Sequence, residues 1–194
     1  MHRYLMLMRR IPILGISLFV ALSAVGPAAA EEGVLVAWAA PDGAEGEPRT
    51  ERFETVAQAA AAASGGRLDL SPTATMKDLV EALETFDVTA AQDESVSLAF
   101  LSTIIGIDWD GSGFSGSSFI WSAPNGSGCA GGSVFTANSM PSGWNNRVSS
   151  AQAFGGCGEY RHYDLTAQSG SSTNCTCSSM GFMNDRTSSE RWAP

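Results

Sequence analysis

Two six-residue runs carry the densest oxygen chemistry in this chain, NNRVSS at 145–150 and NDRTSS at 184–189. Each opens on amide or carboxylate side chains and closes on a pair of hydroxyls. Calcium takes six to eight oxygen ligands from carboxylates, amides, hydroxyls and backbone carbonyls, so both runs supply suitable donors at close spacing. Asparagine and serine also close tight turns by hydrogen-bonding to nearby backbone, a second reading that the sequence leaves open. Asp185 is the one carboxylate in the two runs. Little negative charge balances an ion, which sets an expected affinity of about 10⁻⁴ M or weaker, in the extracellular range.

Other chemistry is sparse. The run DWDGSGFSGSSF (108–119) begins like an EF-hand loop at Asp108, Asp110 and Ser112, but Phe119 stands at the twelfth position, where such a loop needs glutamate. His162 is the only histidine after residue 30, Lys77 is the only lysine, and neither G-x-S-x-G nor H-E-x-x-H occurs. His162, in YRHYD, reads as a surface strand residue. Asp108 and Asp110 make a poor glycosidase pair. Trp109, Trp121 and Trp144 read as packing residues of a sandwich. No enzyme activity is expected.

The elements that must position the hexads fall into two textures. Residues 1–30 form a segment apart: Arg3, Arg9 and Arg10 precede an apolar run at 11–25, and Ala28-Ala29-Ala30 meets Glu31-Glu32. This pattern predicts a signal peptide, with an apolar core too short to span a membrane comfortably. The expectation is a secreted, extracellular protein with no membrane association after cleavage.

Residues 31–96 hold 14 acidic and 4 basic side chains, net −10, while residues 97–194 hold 6 and 4, net −2. The acidic total and the lack of a basic stripe exclude nucleic acid as a natural partner. The segment 31–96 reads as a small α+β or partly disordered N-terminal unit, or a pro-domain. VLVAWA (34–39) suggests a strand, and ERFETVAQAAAAA (51–63) and TMKDLVEALETF (75–86) suggest helices, the second with Thr75 and Asp78 placed to cap its start.

Beyond residue 97 the helical signal ends. STIIGIDW, GSSFIW and GSVFTA, separated by glycine-rich turns, predict an all-β unit. All four cysteines, Cys129, Cys157, Cys175 and Cys177, lie here. An exported chain meets oxidising conditions, so two disulfides are expected. The favoured pairing is Cys129 with Cys157 and Cys175 with Cys177, with the crossed pairings open.

A repeat connects these features. WDGSGFSGSS (109–118) aligns without gaps on YDLTAQSGSS (163–172), and one hexad follows each copy. Trp109, Phe114 and Gly116 form the first hairpin signature; Tyr163 and Gly170 form the second, with Gln168 where the second aromatic would stand. Hairpin and hexad together resemble the βγ-crystallin Greek-key motif. SMPSGWNNRVSS with NCTCSSMGFMNDRTSSERW is closest to the secreted microbial metalloproteinase-inhibitor family of that fold. The resemblance implies two keys, at about 103–152 and 156–192, packed as one βγ-crystallin-like sandwich. It further implies that Asn146 and Asp185, the carbonyls of Arg147 and Arg186, and the hydroxyls of Ser149 and Ser188 face calcium. The function it implies is inhibition of an extracellular metallopeptidase by a monomer, and the exposed loop at 125–132 is the one to test. The alternative is a calcium-stabilised structural or envelope-associated module with no peptidase target.

Overall fold

The computed structural model describes residues 33–92, 103–124 and 126–194, with 86–92 described by backbone alone. The expected signal peptide lies outside the described residues. The elements are β1 (Val34–Trp38), β2 (Ala40–Pro41), β3 (Arg49–Phe53), α1 (Val56–Ala63), α2 (Met76–Gln92), β4 (Ile104–Gly111), β5 (Ser115–Ser122), β6 (Phe135–Ala137), β7 (Ser150–Ala153), β8 (Glu159–Leu165), β9 (Ser169–Asn174) and β10 (Ser189–Ala193). Among the described residues the strands make two five-stranded sheets, ordered β3-β1-β5-β4-β7 and β2-β6-β10-β8-β9.

The described part of the segment 31–96, residues 33–92, contributes strands to both sheets of this body. Strand β1 runs parallel to β5, with Leu35 opposite Phe119 and Ala37 opposite Trp121, while β2 pairs with β6 in the other sheet. Glu32–Pro194 is one compact unit. The reason lies in VLVAW, which is apolar at every position and cannot leave one face in water. Leu35 and Ala37 pack between the sheets, while Val36 joins the cluster that holds Ala59, Ala60, Leu79 and Leu83 of the helices.

The helices cover the outer face of the first sheet. ERF, expected to begin a helix, instead forms the end of edge strand β3, and α1 starts after Thr55, whose hydroxyl accepts from Gln58 N at 3.2 Å. Ala59, Ala60 and Ala63 are buried, and their small side chains let the helix lie close to the strands. At its C-terminus the Ala63 carbonyl accepts from Ser122 Oγ at 2.7 Å and also from Thr103 Oγ1, which satisfies an otherwise orphaned helix-end acceptor. Helix α2 carries the expected cap: Thr75 N donates to Asp78 Oδ2 at 2.7 Å, and Asp78 N donates to Thr75 Oγ1 at 3.3 Å. Leu79 and Leu83 are fully buried, each stabilising by about 1.5–3 kcal/mol.

Between the sheets lies an aromatic core. Trp121 and Trp192 have ring centroids 4.9 Å apart, Phe119 and Trp144 4.5 Å, and Tyr160 and Trp192 5.0 Å. Trp109 belongs instead to the cluster beneath the helices. Both favoured disulfides are present: Cys129–Cys157, with Cα atoms 5.0 Å apart, and Cys175–Cys177, 5.1 Å apart. Such pairs place the folded chain in an oxidising setting. Among the described residues no helix is long and apolar enough to cross a membrane.

The repeat is visible in the pairing. Hairpins β4–β5 and β8–β9 occupy opposite sheets, and each repeat lends a segment to the other: β6 pairs with β10, and Cys177 bridges Ala151 of β7.

Candidate functional site

Each hairpin is folded back by one aspartate. Asp110 Oδ1 accepts from Ser117 N and Asp164 Oδ1 accepts from Ser171 N, both at 2.7 Å. Gly116 and Gly170 sit beside these oxygens at φ 81° and 80°, and a Cβ at either position would overlap the carboxylate. The other carboxylate oxygen binds the hexad arginine of the same repeat: Arg147 to Asp110 and Arg186 to Asp164, each at 2.6 Å. The arginine side chains therefore have a structural job, joining hexad to hairpin. The last serine of each hexad adds a second tie. Ser150 Oγ donates to the Gly111 carbonyl at 2.7 Å and accepts from Phe114 N at 3.1 Å; Ser189 Oγ does the same with Leu165 at 2.6 Å and Gln168 at 2.9 Å.

Gln168 replaces the aromatic without loss of the bend. Its φ of 51° matches the 59° of Phe114. Phe114 packs edge-on against Trp109, with centroids 5.2 Å apart, whereas the Gln168 amide donates to the carbonyls of Ala137 at 2.9 Å and Glu190 at 3.3 Å.

The predicted ligand residues meet across the repeats. Ser149 Oγ donates to Asp185 Oδ1 at 3.1 Å, and Ser188 Oγ donates to Asn146 Oδ1 at 3.3 Å. The backbone does likewise, Asn146 N to Thr187 O at 2.9 Å and Asp185 N to Val148 O at 3.0 Å. Asn146 and Asp185 both adopt left-handed φ, 59° and 55°, which turns their side chains back toward the opposite repeat. Arg147 and Arg186 follow them directly in the chain, so their carbonyls leave the same bends. Two oxygens 3.1 Å apart can both reach one calcium ion at about 2.4 Å. The Asp185–Ser149 pair, with its carboxylate, fits a hard cation; the Asn146–Ser188 pair offers no charge and fits it less well.

A second constellation was not foreseen. His162, expected on the surface, is fully buried between the sheets with Asp108 and Glu190. His162 Nδ1 lies 2.9 Å from Glu190 Oε1, and the Tyr160 hydroxyl lies 2.6 Å from Asp108 Oδ2 and 3.2 Å from Glu190 Oε2. Trp121 Nε1 donates to Asp108 Oδ2 at 2.9 Å. Burial pushes the Glu190 carboxyl up to about 8. Burial and the nearby Glu190 charge raise Asp108 well above the usual carboxylate range, while burial lowers His162. The sequence does hold a signal. Asp108 interrupts the apolar run IIGIDW; Tyr160 and His162 share one strand face, as Glu190 and Trp192 do, so strand alternation puts charged groups inward beside aromatics. Asp108 and Asp110, two residues apart, would share one face of a regular strand, but the register shift between Trp109 and Gly111 separates them: Asp108 is buried in the core and Asp110 faces the hairpin bend.

The chain matches no protein-family profile, no curated protein and no solved structure.

Proposed function

We infer that this chain is an extracellular βγ-crystallin-like module whose paired polar bends hold calcium weakly and gain stability from it. One observation carries this reading: the second-position side chain of each hexad accepts from the fifth-position hydroxyl of the other, at 3.1 and 3.3 Å. The mutual loan of a strand segment between repeats, β6 to β10 and Cys177 to β7, supports the Greek-key assignment. Asp185 and Asn146 would hold the ion, Ser149 and Ser188 would turn their lone pairs to it, and the carbonyls of Arg147 and Arg186 would add donors. Calcium supplies the positive charge that links residues of both repeats at one point. Thermal unfolding in calcium and in chelator tests this. A higher midpoint in calcium, abolished by Ser149→Ala with Ser188→Ala, supports the reading; equal midpoints leave only turn closure.

Peptidase inhibition is the second reading, and loop rigidity favours it. The loop between β5 and β6 is tethered by Cys129–Cys157, by Cys129 N donating to the Gly155 carbonyl at 2.9 Å, and by Arg67 donating to the Gly126 carbonyl. A segment already fixed in shape loses little entropy on entering a peptidase cleft. Inhibition of a thermolysin-like peptidase by the purified chain, lost when residues 126–132 are replaced, would support it; full peptidase activity at stoichiometric excess would remove it.

A further inference from the structure

We propose that Asp108, His162 and Glu190 form an enclosed structural site for one divalent transition-metal ion of the zinc class, taken up as the chain folds. The three residues come from β4, β8 and β10, so an ion among them ties one sheet to the other at the centre of the sandwich. One ligand atom from each lies within 4.8 Å of the other two, and all three side chains are fully buried.

His162 has the orientation of a ligand. Its Nε2 lies 3.3 Å from the Cys175 carbonyl, which can only accept, so the proton sits on Nε2. Nδ1 then faces Glu190 Oε1. Metal-binding histidines are commonly held in this way, with the far nitrogen donating to a backbone carbonyl and the near one aimed at the ion. Asp108 is braced similarly, since Oδ2 accepts from both Tyr160 and Trp121.

An independent observation points to a ligand. Asp108 Oδ1 is buried without a hydrogen-bond partner. Ionised, Asp108 has only one of its two oxygens hydrogen-bonded, and a proton placed on Oδ1 would find no acceptor. A cation at this oxygen removes either penalty. Two carboxylates and a neutral imidazole cancel a divalent charge, and binding releases to solvent the proton between His162 and Glu190 together with any proton held on Asp108. One nitrogen with two carboxylates suits zinc better than calcium, which prefers an all-oxygen shell. The Tyr160 hydroxyl, beside both carboxylates, is a fourth donor at hand.

The full chain, with disulfides intact, is unfolded in guanidinium and refolded with zinc chloride, with cobalt chloride or with EDTA, then desalted. The expected result is about one equivalent of zinc per chain by mass spectrometry, visible absorption bands in the cobalt form, and a higher unfolding midpoint than after EDTA. Asp185→Asn retains the zinc, which separates this site from the polar bends, and His162→Gln loses it. Should His162→Gln fail to fold, X-ray absorption of the zinc-refolded wild type decides. A shell of nitrogen and oxygen at about 2.0–2.1 Å with an imidazole signature supports the site, and any other shell overturns it. Folded wild type that retains less than about a tenth of an equivalent, or equal retention by a folded His162→Gln chain, overturns it as well.

Discussion

Ser149 donates its hydroxyl proton to Asp185 at 3.1 Å, across the boundary between the two repeats. Ser188 and Asn146 repeat the contact at 3.3 Å with the roles of the repeats exchanged. Neither bend is therefore complete within its own repeat. The double-mutant cycle of Ser149→Ala and Asp185→Asn, followed by chemical denaturation, is expected to show a coupling of about 0.5–1.5 kcal/mol in chelator. Calcium should enlarge that coupling. A coupling near zero in both conditions would make the bends two independent turns.

The hairpin glycines are the positions least able to carry a side chain. Gly116→Ala and Gly170→Ala each force a left-handed φ on alanine and drive its methyl into the carboxylate that accepts from the next residue. Each is expected to destabilise by about 2 kcal/mol or more. Gly143→Ala is a useful control: its φ is 80°, but a Cβ there meets nothing within 4 Å. It should cost only the backbone strain.

The two disulfides differ in the length of chain they close. Cys129–Cys157 spans 28 residues and Cys175–Cys177 only 2. Loop-closure entropy assigns the first about 3–4 kcal/mol and the second about 1 kcal/mol. Replacing both cysteines of one pair with alanine, and comparing unfolding free energies, should reproduce that order.

The buried cluster predicts a pH dependence whose sign depends on metal. The groups facing Glu190 are Asp108 on β4 and Tyr160 and His162 on β8. Free of metal, Glu190 keeps its proton to about pH 8 when folded but releases it near 4.5 when unfolded, and Asp108 is shifted the same way. Between those pH values the folded state binds more protons, so stability is lost as pH rises toward 8, at about 1.4 kcal/mol per pH unit for each extra proton. His162, lowered from 6.5, opposes this in acid and does not cancel two raised carboxyls. With zinc bound the ligands hold no protons, and stability should instead fall as pH drops below about 6.5. Denaturant midpoints from pH 5 to 8, with EDTA and with zinc, measure both slopes.

The β-rich half was legible because its turns are written in glycine and its strands in alternating apolar residues; the strands around STIIGIDW, GSSFIW and GSVFTA form as β4, β5 and β6. The hexads stood out because Asn, Asp and Ser recur in them at fixed spacing. The helical cap at Thr75 was equally local and equally readable. What escaped was non-local. Nothing within VLVAW states that its partner is a parallel strand more than 80 residues later. ERF carries two good helix-formers, Glu51 and Arg52, and became a strand because β1 offered it an antiparallel edge, a tertiary preference that overrides propensity. His162 was misplaced for a related cause. Alternation showed which neighbours share its face, but which face is inward depends on β10 bringing Glu190 opposite it.

The position of β1, held between β3 and β5, bears on the order in which this molecule can assemble. Its residues are synthesised before β5, and the strand that must receive Leu35 and Ala37 ends at Ser122. Until then an apolar strand lacks its final neighbour, and non-local parallel pairing of this kind is intrinsically slow and exposed to aggregation. Clipping the exposed turn after Pro41 would not release the amino-terminal piece: β1 would remain lodged, and the two fragments should travel together until a denaturant parts them.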